Sequence, residues 1–242
     1  MSVAIVCPTY NESENIPALV ERVFALKDID PRLIIVDDSS PDGTATVVNK
    51  IIVESDLPIT LIKRDGKLGL GTAYIEGFSA ALDTSCEFVV QMDADLSHPP
   101  ELIPVLIQAL SKSDVAVASR YIEDGSNKEE WSYFRKLVSR GGDLYVRKML
   151  GIDVTDPKSG FKAIRSEVLR TIPIKNINSV GFIFQSELLY LAKKCGFSIT
   201  EIPYEFAKRV TGDSKMDKSI IIEGLWRPLQ MRWKYNRFRR TK

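Results

Sequence analysis

Several things are scarce in this sequence. Cysteine occurs three times, at Cys7, Cys86 and Cys195. The three are far apart and odd in number, which argues against a disulfide framework or a zinc cluster and leaves small core residues in a reducing compartment. Histidine occurs once, as His98, so any Ser–His or Cys–His catalytic arrangement would have to be built on it. Lying between Ser97 and Pro99, it reads as a turn residue instead. No apolar run approaches the ~18 residues of a membrane span. No internal repeat, low-complexity tract or linker divides the chain, and Ser2 leads straight into a strand pattern with no signal peptide ahead of it. The stretch after that strand, Pro8 to Ser13, lacks the glycines and basic residues of a nucleotide-phosphate loop, which counts against a nucleotidyltransferase.

What remains suits one sizeable α/β domain with a short extension: 242 residues, 44% hydrophobic and 27% charged, as in ordinary soluble proteins. The net charge of +1 conceals an asymmetry. Arg227, Arg232, Lys234, Arg237, Arg239, Arg240 and Lys242 stand in a tail without a single acid, so the rest of the chain carries −6. A basic tail on an acidic body points to an anionic surface, and the acidic body counts against nucleic acid as the partner.

Strand and helix patterns alternate. Val3–Cys7, Leu33–Val36, Ile59–Ile62, Glu87–Met92 and Val115–Ala118 read as strands. Ser13–Leu26, Thr44–Glu54, Thr72–Leu82 and Pro100–Leu110 read as helices, the last with proline at its start. Such alternation predicts a mostly parallel sheet covered by helices. Beyond residue 120 the pattern loosens: a polar, mobile loop over 121–133, a helix over Phe134–Leu150 stopped by Gly151, a strand at Gly160–Ile164, a helix over Phe184–Cys195, and an alternating strand from Ile199 to Phe206. Gly69-Leu70-Gly71-Thr72 is half a dinucleotide fingerprint in the wrong place, and predicts a tight helix start.

The most informative stretch is Asp93-Ala94-Asp95, at the end of a buried-looking strand. Two carboxylates one residue apart, at the ligand-binding edge of an open sheet, suit Mg²⁺ or Mn²⁺ carrying phosphates. A bare Asp-x-Asp is common and can be two solvated turn acids. However, the second strand also ends in Asp37-Asp38, and the first in Pro8-Thr9-Tyr10-Asn11-Glu12. A purely structural turn needs no such convergence of acids.

These segments, together with Gly69–Tyr74, Ser119-Arg120-Tyr121, Ser139-Arg140-Gly141, Asp156-Pro157-Lys158-Ser159-Gly160-Phe161 and Arg209–Lys215, resemble the inverting family 2 glycosyltransferases of GT-A fold. Within them they are most similar to the dolichyl-phosphate (polyprenyl-phosphate) mannose synthases. The resemblance spans roughly residues 3–220. It implies a Rossmann-like sheet in a catalytic domain over 1–215 and an amphipathic basic segment over 216–242. It implies that Pro8, Tyr10, Glu12 and Asp38 hold the base and ribose of GDP-mannose, and that Asp93, Ala94 and Asp95 sit at its diphosphate with Mg²⁺ or Mn²⁺. Ser97 is a weaker metal ligand, standing where some relatives carry Gln. It places Arg120, Arg209 and Lys215 on phosphates, where guanidinium forks bind oxygens in pairs, and makes Asp95, Arg120, Arg209 and Lys215 the catalytic set. Arg135 and Ser139 would meet the acceptor phosphate, with an ordinary exposed helix face as the alternative.

A polyprenyl monophosphate is already an anion, so it needs no general base. The expected reaction is a single inverting displacement, supported by positioning and electrostatics. A UDP-sugar donor, giving glucosyl or other hexosyl transfer to the same kind of lipid, is the nearest alternative. A silent nucleotide- or lipid-binding module is a more distant one. A lipid acceptor also gives the tail a purpose: Ile220, Ile221, Ile222, Leu225, Trp226, Leu229 and Trp233 beside basic residues suit a membrane surface on the cytoplasmic side. A helix packed on the domain, or a stub joining a membrane-spanning partner subunit, would look the same in sequence. Pro228 is expected to break or kink any helix there.

Overall fold

The computed structural model describes residues 1–122, 126–127, 133–179, 181, 183–206 and 218–236, with side chains outside 126–127, 133–140, 206 and 218–224. Strand β1 (Ser2–Thr9) leads to helix α1 (Ile16–Phe24), then β2 (Asp30–Asp37), α2 (Thr44–Glu54), β3 (Ile59–Lys63), α3 (Leu70–Asp83) and β4 (Phe88–Gln91). A 3-10 turn at Pro100–Leu102 opens α4 (Ile103–Ala109), followed by β5 (Val115–Ser119). After it come β6 (Ser126–Asn127), α5 (Tyr133–Leu150), β7 (Lys162–Arg165), α6 (Ser166–Thr171), α7 (Phe184–Lys194), β8 (Ile199–Pro203), β9 (Glu205–Phe206) and α8 (Lys218–Lys234).

Seven strands form one sheet in the order β3-β2-β1-β4-β7-β5-β8, while β6 and β9 pair apart from it. β1, β2, β3 and β4 are parallel, as are β5 and β8. The exception is β7, which runs antiparallel to both β4 and β5. The sheet is mostly parallel, as expected, with one reversed strand at its centre. The predicted strand from Ile199 to Phe206 is also broken, at Tyr204, whose ring is buried against Phe161 and His98.

The continuous apolar runs follow from burial on both faces. On β1, Ala4 and Val6 face a core built with Tyr74, Phe78, Val146, Phe184 and Leu188. Val3, Ile5 and Cys7 face a second core with Ile16, Leu19, Val23, Ile103 and Leu106. Thus α3, α5 and α7 cover one face and α1 and α4 the other. Gly151 ends α5 in the left-handed region at φ 63°, where a glycine carries no steric penalty.

Helix α8 continues through Pro228, contrary to the expected break. It lies on α5, where the Tyr145 hydroxyl donates to the Leu225 carbonyl at 2.7 Å, and Met231 and the following Tyr235 are buried. That docking outweighs the hydrogen bond that proline cannot make. Arg227 and Arg232 reach the carbonyls of Asn178 and Met149 at 3.1 and 3.4 Å, and Lys234 that of Asn176. The other face of the helix exposes Leu225, Trp226, Leu229 and Trp233. Among the described residues no helix is long and apolar enough to cross a membrane.

Helix α3 lies flush on the sheet at Gly77, where an added Cβ would stand 2.3 Å from Val6 Cγ1 and 3.1 Å from Val36 Cγ2. Valine is stiff about χ1 and cannot swing away. Gly77→Ala is expected to lower stability by about 1–2 kcal/mol despite the ~1 kcal/mol helix-propensity gain. Urea unfolding checks this, and an unchanged midpoint would contradict the flush packing.

Candidate active site

The C-terminal ends of β1, β2 and β4 lie at one edge, because these strands are parallel and in register, with Thr9 opposite Asp37. Asp37 is fully buried and braces its turn: its carboxylate accepts from Thr9 Oγ1 at 3.0 Å and from Ser40 Oγ at 2.5 Å. The two loops at this edge are cross-tied. Glu12 N–H donates to Thr44 Oγ1 at 3.0 Å and Ser13 N–H to Asp42 Oδ2 at 2.9 Å. Although partial burial pushes the Asp42 carboxyl up, hydrogen bonds from Thr44 and Ser13 outweigh it and hold the group at about 2. Pro8, Tyr10 and Glu12 are half-buried along this rim, and the Lys67 ammonium lies 4.0 Å over the Tyr10 ring.

Asp38 is nearly buried and bound to Arg64, with Nη1 to Oδ1 at 2.5 Å, while Gly69 N–H donates to Oδ2 at 3.3 Å. Arg64 also reaches Thr72 Oγ1 at 2.6 Å and Glu76 at 3.2 Å. Sequence reasoning missed Arg64, whose one signal is a basic residue directly after β3. The tight helix start expected at Gly69–Thr72 is present, with Gly69 at φ 100°.

The Asp93-Ala94-Asp95 turn follows β4. Ala94 is buried in the core. Asp95 Oδ1 accepts Ser97 N–H at 3.1 Å and Ser97 Oγ at 2.6 Å, so the Ser97 hydroxyl is turned onto Asp95. Leu96 between them sits at φ 61°, a left-handed conformation uncommon for a branched side chain. Asp93 is held from three sides. Tyr74 OH donates to Oδ1 at 3.3 Å, the Asp93 N–H donates to His98 Nδ1 at 2.9 Å, and a Cβ on Gly160 would stand 3.3 Å from Oδ1. His98 is therefore more than a turn residue. It is buried, stacked on Phe161 at 5.1 Å between centroids, and burial lowers its proton affinity despite the acids nearby. Two hard carboxylates with no third His, Cys, Asp or Glu grouped with them among the described residues fit Mg²⁺ or Mn²⁺, ions that keep waters and substrate phosphates in their shell.

Arg120 follows β5 at the same edge. Asp156 grips it bidentately, from Nε at 2.7 Å and Nη2 at 2.8 Å. Asp156 is fully buried, and its loop is held by Glu201, which accepts from Thr155 Oγ1 at 2.6 Å and Asp156 N–H at 3.1 Å. Burial pulls the Arg120 guanidinium down, but Asp156 more than offsets it and holds it above its ordinary range. Beneath the Asp93 turn lies Lys162, fully buried, whose ammonium donates to Gln185 Oε1 at 2.9 Å and to the Ser159 carbonyl. Burial brings it down to about 7.

Not every expected residue can be placed. Arg209 and Lys215 lie outside the described residues, as do Arg237, Arg239, Arg240 and Lys242. Arg135 and Ser139 fall on α5, with side chains outside those described. Of the loop expected over 121–133, residues 123–125 and 128–132 are likewise outside.

Residues 4–172 match the model of the family described as Glycosyl transferase family 2. The chain belongs to that family. Its similarities to characterised members extend further. It is 38% identical to the undecaprenyl-phosphate mannosyltransferase of Micrococcus luteus, over 93% of this chain and 91% of that protein. It is 36% identical to the polyprenol monophosphomannose synthase of Mycolicibacterium smegmatis, over 92% and 84%. It is also 39% identical to the dolichol-phosphate mannosyltransferase of Pyrococcus furiosus, over 93% of this chain and 62% of that longer protein. Among solved structures, glucosyl-3-phosphoglycerate synthase from Mycobacterium tuberculosis in complex with uridine diphosphate superposes with a TM-score of 0.66 at 22% identity, covering 95% of this chain and 80% of that one. The same enzyme with Mn²⁺, UDP-glucose and glycerol 3-phosphate gives 0.64 at 20%, covering 96% and 79%. The fold that this family member shares with them is the expected GT-A type.

Asp143 on α5 is buried and ion-paired to Lys158 at 3.1 Å. Burial raises it to about 6, with Lys158 opposing. A raised carboxylate contributes stability that is present below its unfolded value near 3.9 and lost as pH rises through about 6. Asp143→Asn is expected to remove that loss, on the order of 2 kcal/mol between pH 4 and 7. Urea unfolding across this range tests it, and curves for the two proteins that stay parallel would rule it out.

Proposed function

We propose that this protein transfers mannose from GDP-mannose to a dolichyl or other polyprenyl monophosphate, with inversion at the anomeric carbon. The observation that carries the reading is the Asp93–Asp95 pair at an edge whose one histidine is committed elsewhere. His98 is buried and its Nδ1 accepts the Asp93 N–H, and Asp156 is committed to Arg120. An acceptor that needs no deprotonation fits such a site, because a phosphate monoester is already anionic at neutral pH. The names of the three relatives, all polyprenyl-phosphate mannosyl enzymes by description, support the same substrates.

In this reading Pro8, Tyr10, Glu12 and Asp38 hold the guanosine, with Asp38 accepting N–H donors of the base. Asp93 and Asp95 hold Mg²⁺ or Mn²⁺, and Ser97 orients Asp95. The metal supplies charge neutralisation to the leaving diphosphate. Arg120, fixed by Asp156, supplies positive charge to the phosphate oxygens, and Arg209 and Lys215 add further cations. Arg135 and Ser139 meet the acceptor phosphate. One of its oxygens forms the bond to the anomeric carbon as the bond to GDP breaks, and GDP leaves with the electron pair.

A lipid acceptor calls for a protein at a membrane surface, here the cytoplasmic one. The exposed Leu225, Trp226, Leu229 and Trp233 on α8 supply the apolar contact, and the basic tail supplies attraction to anionic headgroups. A membrane-spanning partner subunit covering this face is the alternative occupant.

Two measurements test the reading. Incubation with a panel of nucleotide sugars, Mn²⁺ and a polyprenyl phosphate is expected to give mannosyl lipid from GDP-mannose, identified by mass. Asp95→Ala is expected to lower its formation on the order of 100-fold, and near-wild-type turnover would remove the metal assignment. Product from UDP-glucose alone would replace the donor. Trp226→Ser/Trp233→Ser is expected to weaken sedimentation with anionic liposomes at least several-fold while leaving transfer to a short water-soluble acceptor in place. Undiminished sedimentation would reject the α8 face as the lipid contact.

A further inference from the structure

Asp143 and Lys158 have no part in the reading above, yet they stand beside the groups that do. Asp143 stands on the inward face of α5, ahead of the buried Val146 and Leu150. Positions 139 and 135 stand about one and two turns earlier on the same helix. These are the positions assigned to the acceptor phosphate. Lys158 reaches Asp143 from the loop whose Asp156 grips Arg120 and whose Gly160 abuts Asp93. Its side chain remains 28% exposed. Its Nζ lies beside α5 at Gly142, 3.6 Å from where a Cβ there would stand. Among the described residues the charges that act on Asp143 include Lys158, Asp156 and Arg120, so the pair stands within electrostatic reach of the Arg120 guanidinium.

We infer that Lys158 is a binding residue for the phosphate monoester of the acceptor, with Asp143 as the counter-ion that holds the ammonium while no acceptor is bound. An ammonium has three donors, and among the described residues Asp143 is the one charged group paired with it. Those donors suit phosphate oxygens arriving along the α5 face. Lys158 stabilises the buried carboxylate while its partial exposure keeps the ammonium accessible to a ligand. A cation that must meet a mobile ligand needs that exposure. The inference rests on the polyprenyl-phosphate reading of the site.

The test uses the full-length protein with GDP-mannose, Mn²⁺ and farnesyl monophosphate in detergent, with KM measured separately for donor and acceptor. Lys158→Met is expected to raise the acceptor KM about tenfold and leave the donor KM within twofold, with Lys158→Arg recovering most of the loss. Asp143→Asn is expected to leave the acceptor KM unchanged or lower it, because it removes an anion that competes with the phosphate. An ion pair that is only structural predicts the opposite: both variants impaired alike. That result overturns the assignment, as does an acceptor KM unmoved by Lys158→Met, or a rise in the donor KM alone, which would put Lys158 on the nucleotide diphosphate. Where Lys158→Met does not fold, Lys158→Gln and Asp143→Asn carry the same comparison. Wild-type protein that makes no mannosyl lipid defeats the functional reading. Wild-type turnover with an unshifted Lys158 variant defeats only this inference.

Discussion

Because β7 runs antiparallel to β4 and β5, its first residue lies at the edge where those two strands finish. The loop leading into it, residues 155–161, is therefore delivered to the edge that the parallel strands already use. Most of the site depends on that reversal. The loop brings Asp156 onto Arg120, lays Gly160 against Asp93, and seats Phe161 under His98. A parallel strand in the same place would leave this loop at the far end of the sheet, and Arg120 would project from β5 without a partner.

The charges at the edge are organised into pairs before any ligand arrives. Asp38 is held by Arg64, Arg120 by Asp156, and Asp143 by Lys158. Asp93 and Asp95 are treated differently. Hydroxyl and backbone groups restrain them, and among the described residues the basic side chain beside Asp93 is His98, 4.0 Å away, whose proton affinity burial lowers. A carboxylate matched to a cation in the resting protein would have to surrender it when a metal bound. One held by neutral donors keeps its geometry and its full charge. In the proposed function, restraint by hydroxyl and backbone donors leaves Asp93 and Asp95 suited to a divalent ion.

The first half of the fold was legible because β1, β2, β4 and β5 are buried on both faces and so read as unbroken apolar runs, and because α2 is bounded by Gly43 and Glu54 just where its pattern starts and stops. The direction of β7 was not legible. Lys162-Ala163-Ile164-Arg165 has the same composition whichever way it runs, and direction is decided by which edge its flanking loops can reach. Site residues were legible where several acids gathered at strand ends. Arg64, Tyr74 and Lys162 were missed because their roles depend on partners 26, 19 and 23 positions away in the chain. His98 was underrated for a related reason: nothing local announces that Phe161 and Tyr204 will enclose it. The break expected at Pro228 does not occur, since a propensity penalty of roughly 3 kcal/mol is within what docking on α5 can offset.

Glu187, buried on α7, joins two distant parts of the molecule. One oxygen accepts from Ser179 Oγ at 2.5 Å, and the other from the Tyr235 hydroxyl just beyond α8 at 2.7 Å. The Ser179 carbonyl in turn fills the space above Gly71, where any Cβ would come within 2.3 Å of it. Gly71 precedes Thr72, which Arg64 grips while holding Asp38. In the reading that lays α8 on lipid, the bilayer plane and the nucleotide end of the cleft are thus connected by rigid struts rather than by a tether. The angle at which the catalytic edge meets the membrane is then a property of the folded domain, with Glu187 among the groups that fix it, and the acceptor's headgroup must come to the protein at that angle.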